Sequence, residues 1–286
     1  MGRRPGRTAF VFAGGSALAS MQVGMLRPLL AAGVRPDLVV GSSAGALNGA
    51  ATAADPGSAP DILERLWTTA RRSDVLPVRA PTVLRALAGR APGFASSGGI
   101  RQVIERHLTV RRIEDTAIPF FIVAADLATR EKVVLDRGDV VEALVATTAI
   151  PGVYPPVRIG DRLLADGGLA EDPPLGTAVE RGATTVYLFA VGWPLGPAPE
   201  KGAVARAMDA LDWLFWRIVF WRIAAAELAR WAPECDLYVL PSPPITGLHP
   251  LSPKSARQLI DDAERMTREW LPNATTWQQA RPGEPG

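Results

Sequence analysis

Ser43 is the residue of this chain best placed to do chemistry. It stands at the centre of Gly41-Ser42-Ser43-Ala44-Gly45, after the apolar run Leu38-Val39-Val40 and before Ala46-Leu47-Asn48-Gly49-Ala50-Ala51. The pattern reads strand, abrupt turn, helix. A G-x-S-x-G nucleophile elbow needs that context, because a serine on a sharp strand-to-helix turn lifts its hydroxyl above the sheet. Glycine at 41 and 45 removes Cβ atoms that would crowd the turn and the neighbouring strand. The helix behind Ser43 points its positive end at the serine and favours developing negative charge. The chemistry suggested is acyl transfer. Five small residues also describe an ordinary βα turn, so the reading depends on partners elsewhere in the chain.

A serine hydroxyl needs a base within hydrogen-bond reach. His249 follows Ser43 in the order used by α/β-hydrolases. It lies in Thr246-Gly247-Leu248-His249-Pro250, however, which reads as a surface or capping loop. His107 ends a helix and suits its C-terminal dipole. Asp166 is the stronger candidate. Asp166-Gly167-Gly168 follows Arg162-Leu163-Leu164-Ala165, so the carboxylate sits at a strand end, where α/β folds place their chemistry. Burial there would raise its pKa toward that of a working general base; the same tripeptide also makes a plain turn. The third element is Ala13-Gly14-Gly15-Ser16, between the first strand and the helix that begins near Met21. Its backbone amides could receive a phosphate or a tetrahedral oxyanion. It has neither the G-K-[ST] of a P-loop nor the third glycine of a dinucleotide loop, so nucleotide binding has little support.

These groups must be held by a scaffold, and strand-like and helix-like runs alternate along the chain. Strands are expected at residues 8–13, 38–40, 119–125, 133–135, 163–165, 185–191 and 237–240. Helices fall between them, the longest at 203–231 and 254–270, and residues 73–97 read as an irregular cover. The alternation predicts an α/β fold: a single three-layer α/β/α domain with a mostly parallel sheet over residues 8–271, with loose termini at 1–7 and 272–286. With 286 residues, 48% of them hydrophobic, the chain can bury a large core. A net charge of +2 gives no basis for nucleic-acid binding. One cysteine, Cys235, and two histidines provide neither an internal disulfide nor a metal-ligand cluster, so no metal or cofactor is expected. No apolar run reaches the ~18 residues of a membrane span and none has the form of a signal peptide, so a cytoplasmic protein is expected. Trp213, Trp216, Phe220 and Trp231 fall among charged residues on one side of the helix at 203–231. There they would meet lipid headgroups or a partner subunit, unless the helix at 254–270 packs over them, which is the simpler reading. Nothing in the sequence fixes an oligomeric state.

Taken in order, these motifs resemble the patatin-like phospholipase family. The Gly-rich loop with Gln22-Val23-Gly24-Met25-Leu26 is similar to that family's first loop and helix, Gly41–Gly45 to its elbow, and Asp166-Gly167-Gly168 to its D-G-G. The segments 124–129 and 149–156 are similar to stretches the family carries between them. The resemblance implies a Ser-Asp dyad: Ser43 attacks an ester carbonyl, Asp166 takes its proton, and amides around Gly14, Gly15 and Ser16 hold the oxyanion. It implies hydrolysis of lipid or lysolipid carboxylic esters through an acyl-enzyme, at most peripheral to a membrane. The alternative is a catalytically weak relative that binds a fatty-acyl or anionic ligand in the same cleft. Two departures bear on rate. Leu18 stands where the family usually has arginine, and Ala19, where it usually has glycine, would be strained if that position required positive φ. Asp172 replaces a usual asparagine, and a second acid there would raise the pKa of Asp166.

Overall fold

A computed structural model of the chain describes residues 6–77, 80–88, 90, 93–191, 221–244 and 253–280. Its sheet is built on β1 (Thr8–Phe12), β2 (Leu38–Ser42), β3 (Phe120–Asp126), β7 (Thr185–Phe189) and β8 (Asp236–Val239). These run parallel in the order β3-β2-β1-β7-β8. Three short strands finish the β3 edge: β4 (Lys132–Leu135) and β6 (Arg162–Ala165) pair antiparallel with β3, and β5 (Val157–Ile159) pairs antiparallel with β6.

The strands at the centre are apolar on both faces because both faces are covered. Along β1 the side chains alternate. Phe10 and Phe12 enter one cluster and Ala9 and Val11 the other. The first cluster is the thicker. It packs α1 (Met21–Ala31), α2 (Ser43–Ala54), α3 (Ala59–Thr69), α6 (Gly98–His107), α7 (Val140–Thr147) and α10 (Pro253–Trp270) against the sheet. The short α4 (Arg72–Val75) and α5 (Ala80–Leu87) lie between α3 and α6 in the chain. The opposite face carries α8 (Leu175–Glu180), α9 (Trp221–Trp231) and, from α11 (Trp277–Ala280), Trp277. The described residues therefore form the expected α/β/α sandwich.

Several local expectations change. Residues 73–97 are not irregular throughout, since α4 and α5 occupy part of them. The tail folds back beyond residue 272: Trp277 joins the second cluster, and the Gln278 amide donates to the carbonyl of Cys235 at 3.0 Å. The long C-terminal helix does not lie over α9. It packs on α1 and α3, on the other side of the sheet. Trp231 is covered instead by α8, with its indole N–H donated to Glu227 at 2.9 Å. Trp213, Trp216, Phe220 and His249 lie outside the described residues.

The contact between α1 and α10 sets one prediction. A methyl group on Gly24 would come within 2.7 Å of the Glu264 amide nitrogen and closer still to the Ile260 carbonyl, so two backbones meet with no side chain to give way. Gly24→Ala should cost about 3 kcal/mol or more despite alanine's better helix propensity. Urea unfolding of the two proteins measures the difference.

Candidate active site

Ser43 is the first residue of α2, directly after β2, and its φ is +52°. A non-glycine residue in that region costs roughly 1–2 kcal/mol. The turn is held from three sides. The Ser43 amide donates to Thr147 Oγ1 at 2.9 Å, and the Thr147 hydroxyl in turn donates to the Val123 carbonyl on β3. Gly45 fills the third side: a Cβ there would lie 2.5 Å from the Phe12 carbonyl oxygen and closer to that of Ala13. Only glycine lets the first turn of α2 approach the end of β1 so closely.

Asp166 leaves the end of β6 and meets the serine. Ser43 Oγ donates to Asp166 Oδ2 at 2.7 Å, while Oδ1 accepts the Gly168 amide at 2.8 Å. Both carboxylate oxygens are thus oriented, one by the nucleophile and one by the turn behind it. Asp166 is 7% exposed, and burial pushes its pKa up to about 6 against the lowering effect of those two hydrogen bonds. A hydroxyl bonded to a buried carboxylate is an arrangement in which the carboxylate could serve as base. His107 takes no part, because its Nδ1 contacts the Val103 carbonyl of its own helix.

The Gly-rich loop passes beside the pair. A Cβ on Gly14 would fall 3.2 Å from Ser43 Cβ and 2.9 Å from Asp172 Oδ2. The Gly14 amide donates to Asp172 Oδ1 at 2.8 Å, so this N–H already has an acceptor. Gly15 (φ +154°) and Ser16 (φ +54°) then turn the chain into a 3-10 helix over Ser16–Ser20, whose first closing bond runs from Leu18 N to Gly15 O at 3.1 Å. The amides of Gly15, Ser16 and Ala17 precede that bond, and Ser16 and Ala17 line the same cavity as Ser43. Ala19 is not strained: positive φ falls on Gly15 and Ser16, and Ala19 is a buried residue of the 3-10 helix. Leu18 packs on the main core, where an apolar contact holds the loop in place of the charge the sequence comparison led one to expect.

Ser43, Ser16 and Ala17 open onto a cavity of about 110 Å³. Its walls are apolar and include Leu47 of α2, Leu66 and Trp67 of α3, Val75 of α4, Ile100, Val103 and Ile104 of α6, and Ala256 of α10. Tyr154 closes one side, its hydroxyl donated to the Val75 carbonyl at 2.7 Å. Arg71 is the one cation among the described lining residues. Among the described residues, no group of three or more His, Cys, Asp or Glu side chains is arranged to hold a metal ion.

Residues 10–179 match the family model described as patatin-like phospholipase. The chain belongs to the patatin-like phospholipase family. Relatives include an uncharacterised NTE family protein of Mycobacterium tuberculosis, 32% identical over 168 residues that make up 57% of this chain and 27% of that protein. Patatin-like phospholipase domain-containing protein 7 of Mus musculus is 29% identical over 214 residues, 73% of this chain and 15% of that protein. Patatin-like phospholipase domain-containing protein 6 of Homo sapiens is 30% identical over 187 residues, 64% of this chain and 13% of that protein. The chain thus spans about a quarter or less of the length of these curated relatives. Among solved structures, VipD from Legionella pneumophila aligns at a TM-score of 0.49 and 13% identity, over 94% of this chain and 67% of that one.

Two features of this patatin-like site were not legible in its motifs. Thr147, the last residue of α7, carries no motif of its own, and its role follows only from the packing of α7 against β3. Asp172 was expected to raise the pKa of Asp166, but the main cause there is burial. The larger effect is on Asp172 itself, whose pKa is pushed up to about 7, by burial first and then by the charges of Asp166 and Glu171, against the Gly14 hydrogen bond. A carboxyl whose folded pKa lies above its unfolded value binds its proton more tightly in the folded state. Its contribution to stability is therefore fully present below about pH 4 and lost as pH rises through about 7. Asp172→Asn keeps an acceptor for Gly14 and removes the buried charge. It should stabilise the protein by up to about 4 kcal/mol at pH 8 and by much less at pH 5. Urea melts at the two pH values give the comparison.

Proposed function

We propose that the chain hydrolyses carboxylic esters of lipids or lysolipids through a Ser43-Asp166 dyad. The observation that carries this reading is the 2.7 Å hydrogen bond from Ser43 Oγ to a buried carboxylate at the mouth of an apolar cavity. An acyl chain lying along Leu47, Leu66, Ile100 and Ile104 would bring its ester carbonyl to Ser43. Asp166 Oδ2 accepts the hydroxyl proton as Oγ bonds to the carbonyl carbon. The amides of Gly15 and Ser16 receive the oxyanion; Gly14, whose N–H is held by Asp172, shapes the turn. Collapse of the tetrahedral intermediate expels the alcohol, which takes the proton back from Asp166 and leaves an acyl-Ser43 ester. A water then attacks that ester with Asp166 again as base, releasing the fatty acid and restoring Ser43. No step calls for a metal or cofactor.

Contact with a lipid surface would be peripheral, since among the described residues no helix is long and apolar enough to cross a membrane. The cavity rim supports such contact. Ile150, a lining residue, is 42% exposed. It would offer apolar surface at the cavity, where a cytoplasmic enzyme would meet its substrate in a bilayer or micelle.

Ser43→Ala and Asp166→Asn should each lower kcat/KM on long-chain esters by about a thousandfold or more. In the wild type, kcat/KM should rise with pH through about 6 and level off above it, because the base must be ionised. Steady-state assays over pH 4–9, with fluorophosphonate labelling at Ser43, test both statements. Hydrolysis that survives both substitutions would overturn the mechanism. A folded wild type that binds fatty acid yet neither labels nor turns over would make the cleft a binding site only.

A further inference from the structure

Two amide side chains, Gln22 on α1 and Asn48 on α2, are fully buried beside the Gly-rich loop. Gln22 Nε2 donates to the carbonyls of Ala13 and Phe189, both at 2.8 Å. Gln22 Oε1 accepts from Asn48 Nδ2 at 2.7 Å, and the same Nδ2 also donates to the Ala19 carbonyl at 2.8 Å. Asn48 Oδ1 accepts the indole N–H of Trp67 at 2.8 Å. Both N–H bonds of each amide are spent, and each amide oxygen has a donor. The arrangement admits one orientation only. Flipping Asn48 would set its NH₂ against the Trp67 N–H and its oxygen against the Ala19 carbonyl.

The relay's end points give it a use. Ala13 and Ala19 bracket residues 14–18, the turn whose Ser16 and Ala17 line the same cavity as Ser43. Trp67, at the other end, is part of the cavity wall. A purely architectural contact between α1 and α2 could be made by apolar side chains, which pack without orphaning any polar atom. A fully satisfied buried relay instead imposes one geometry on the groups it joins.

We propose that Asn48 is a positioning residue that ties the cavity wall at Trp67 to both ends of the oxyanion turn. The inference rests on the ester-hydrolase reading for its catalytic consequence, though not for the structural tie. It follows that the indole N–H governs turnover of esters too short to touch the indole ring.

Trp67→Phe is the decisive variant, because it removes the donor while keeping an aromatic, though smaller, ring in the wall. Hydrogen exchange of the full-length chain should show the amides of residues 14–19 exchanging about tenfold faster than in wild type. On an acetyl ester, kcat per fluorophosphonate-titrated site should fall about tenfold to a hundredfold while KM stays within about twofold. Asn48→Leu should produce the same loss, and combining the two should add little, since both break one relay. Unchanged exchange of residues 14–19 in Trp67→Phe, or losses that multiply in the double variant, would overturn the proposal. If Asn48→Leu does not fold, Trp67→Phe alone decides. Were the wild type to hydrolyse no ester, the hydrolase reading would fail, and exchange at 14–19 would still settle whether the tie exists.

Discussion

The structure depends on one close approach: the first turn of α2 against the end of β1. Gly45 lies so near the Phe12 and Ala13 carbonyls that no side chain fits, and Ser43 accepts a positive φ to make the corner. That corner puts the serine hydroxyl above the carboxyl ends of the parallel strands. The Gly-rich loop leaves β1 beside it, so Ser43 and the loop are neighbours because β1 and β2 are. The backbone strain at Ser43 is offset by the Thr147 hydroxyl and by the packing of α2.

The rest of the site solves the problem of keeping charge and polarity in a dry place. Asp166 is buried, yet each of its oxygens accepts a hydrogen bond. Burial raises its pKa, which makes it a better proton acceptor while leaving it ionised near neutrality. Asp172 sits one layer behind with a stronger upward shift, caused by burial, and its Oδ1 accepts the Gly14 amide. The amides of Gln22 and Asn48 complete the frame without charge. Apolar residues supply the cavity, so the same helices that make the core also shape the space beside Ser43.

The motifs carried much of this into the sequence, since elbow, D-G-G and Gly-rich loop are short stretches of chain with little freedom. Gly45 and Gly41 were readable because a turn of that sharpness excludes other residues. The alternation of apolar runs made the layered sheet readable as well, because a strand buried on both faces has no polar side to show. Thr147, Trp67 and the Gln22–Asn48 relay were not readable. Each acts across a gap of at least 19 residues in the chain, and none has a pattern that separates it from an ordinary helix residue. The C-terminal helix was placed on the wrong layer for a related reason: its apolar stripe says that it packs, but not on which face of the sheet.

By itself the sequence determined the family, the layered α/β fold and the residue types able to do acyl transfer, because these depend on local turns and on hydrophobic period. Tertiary structure decided which of those residues meet. It set the 2.7 Å contact of Ser43 with Asp166 across 123 residues and assigned the Gly14 amide to Asp172. It also moved the positive φ from position 19 to Gly15 and Ser16. Distances between strand ends and the burial of a carboxylate are properties of the packed sheet, and no local pattern encodes them.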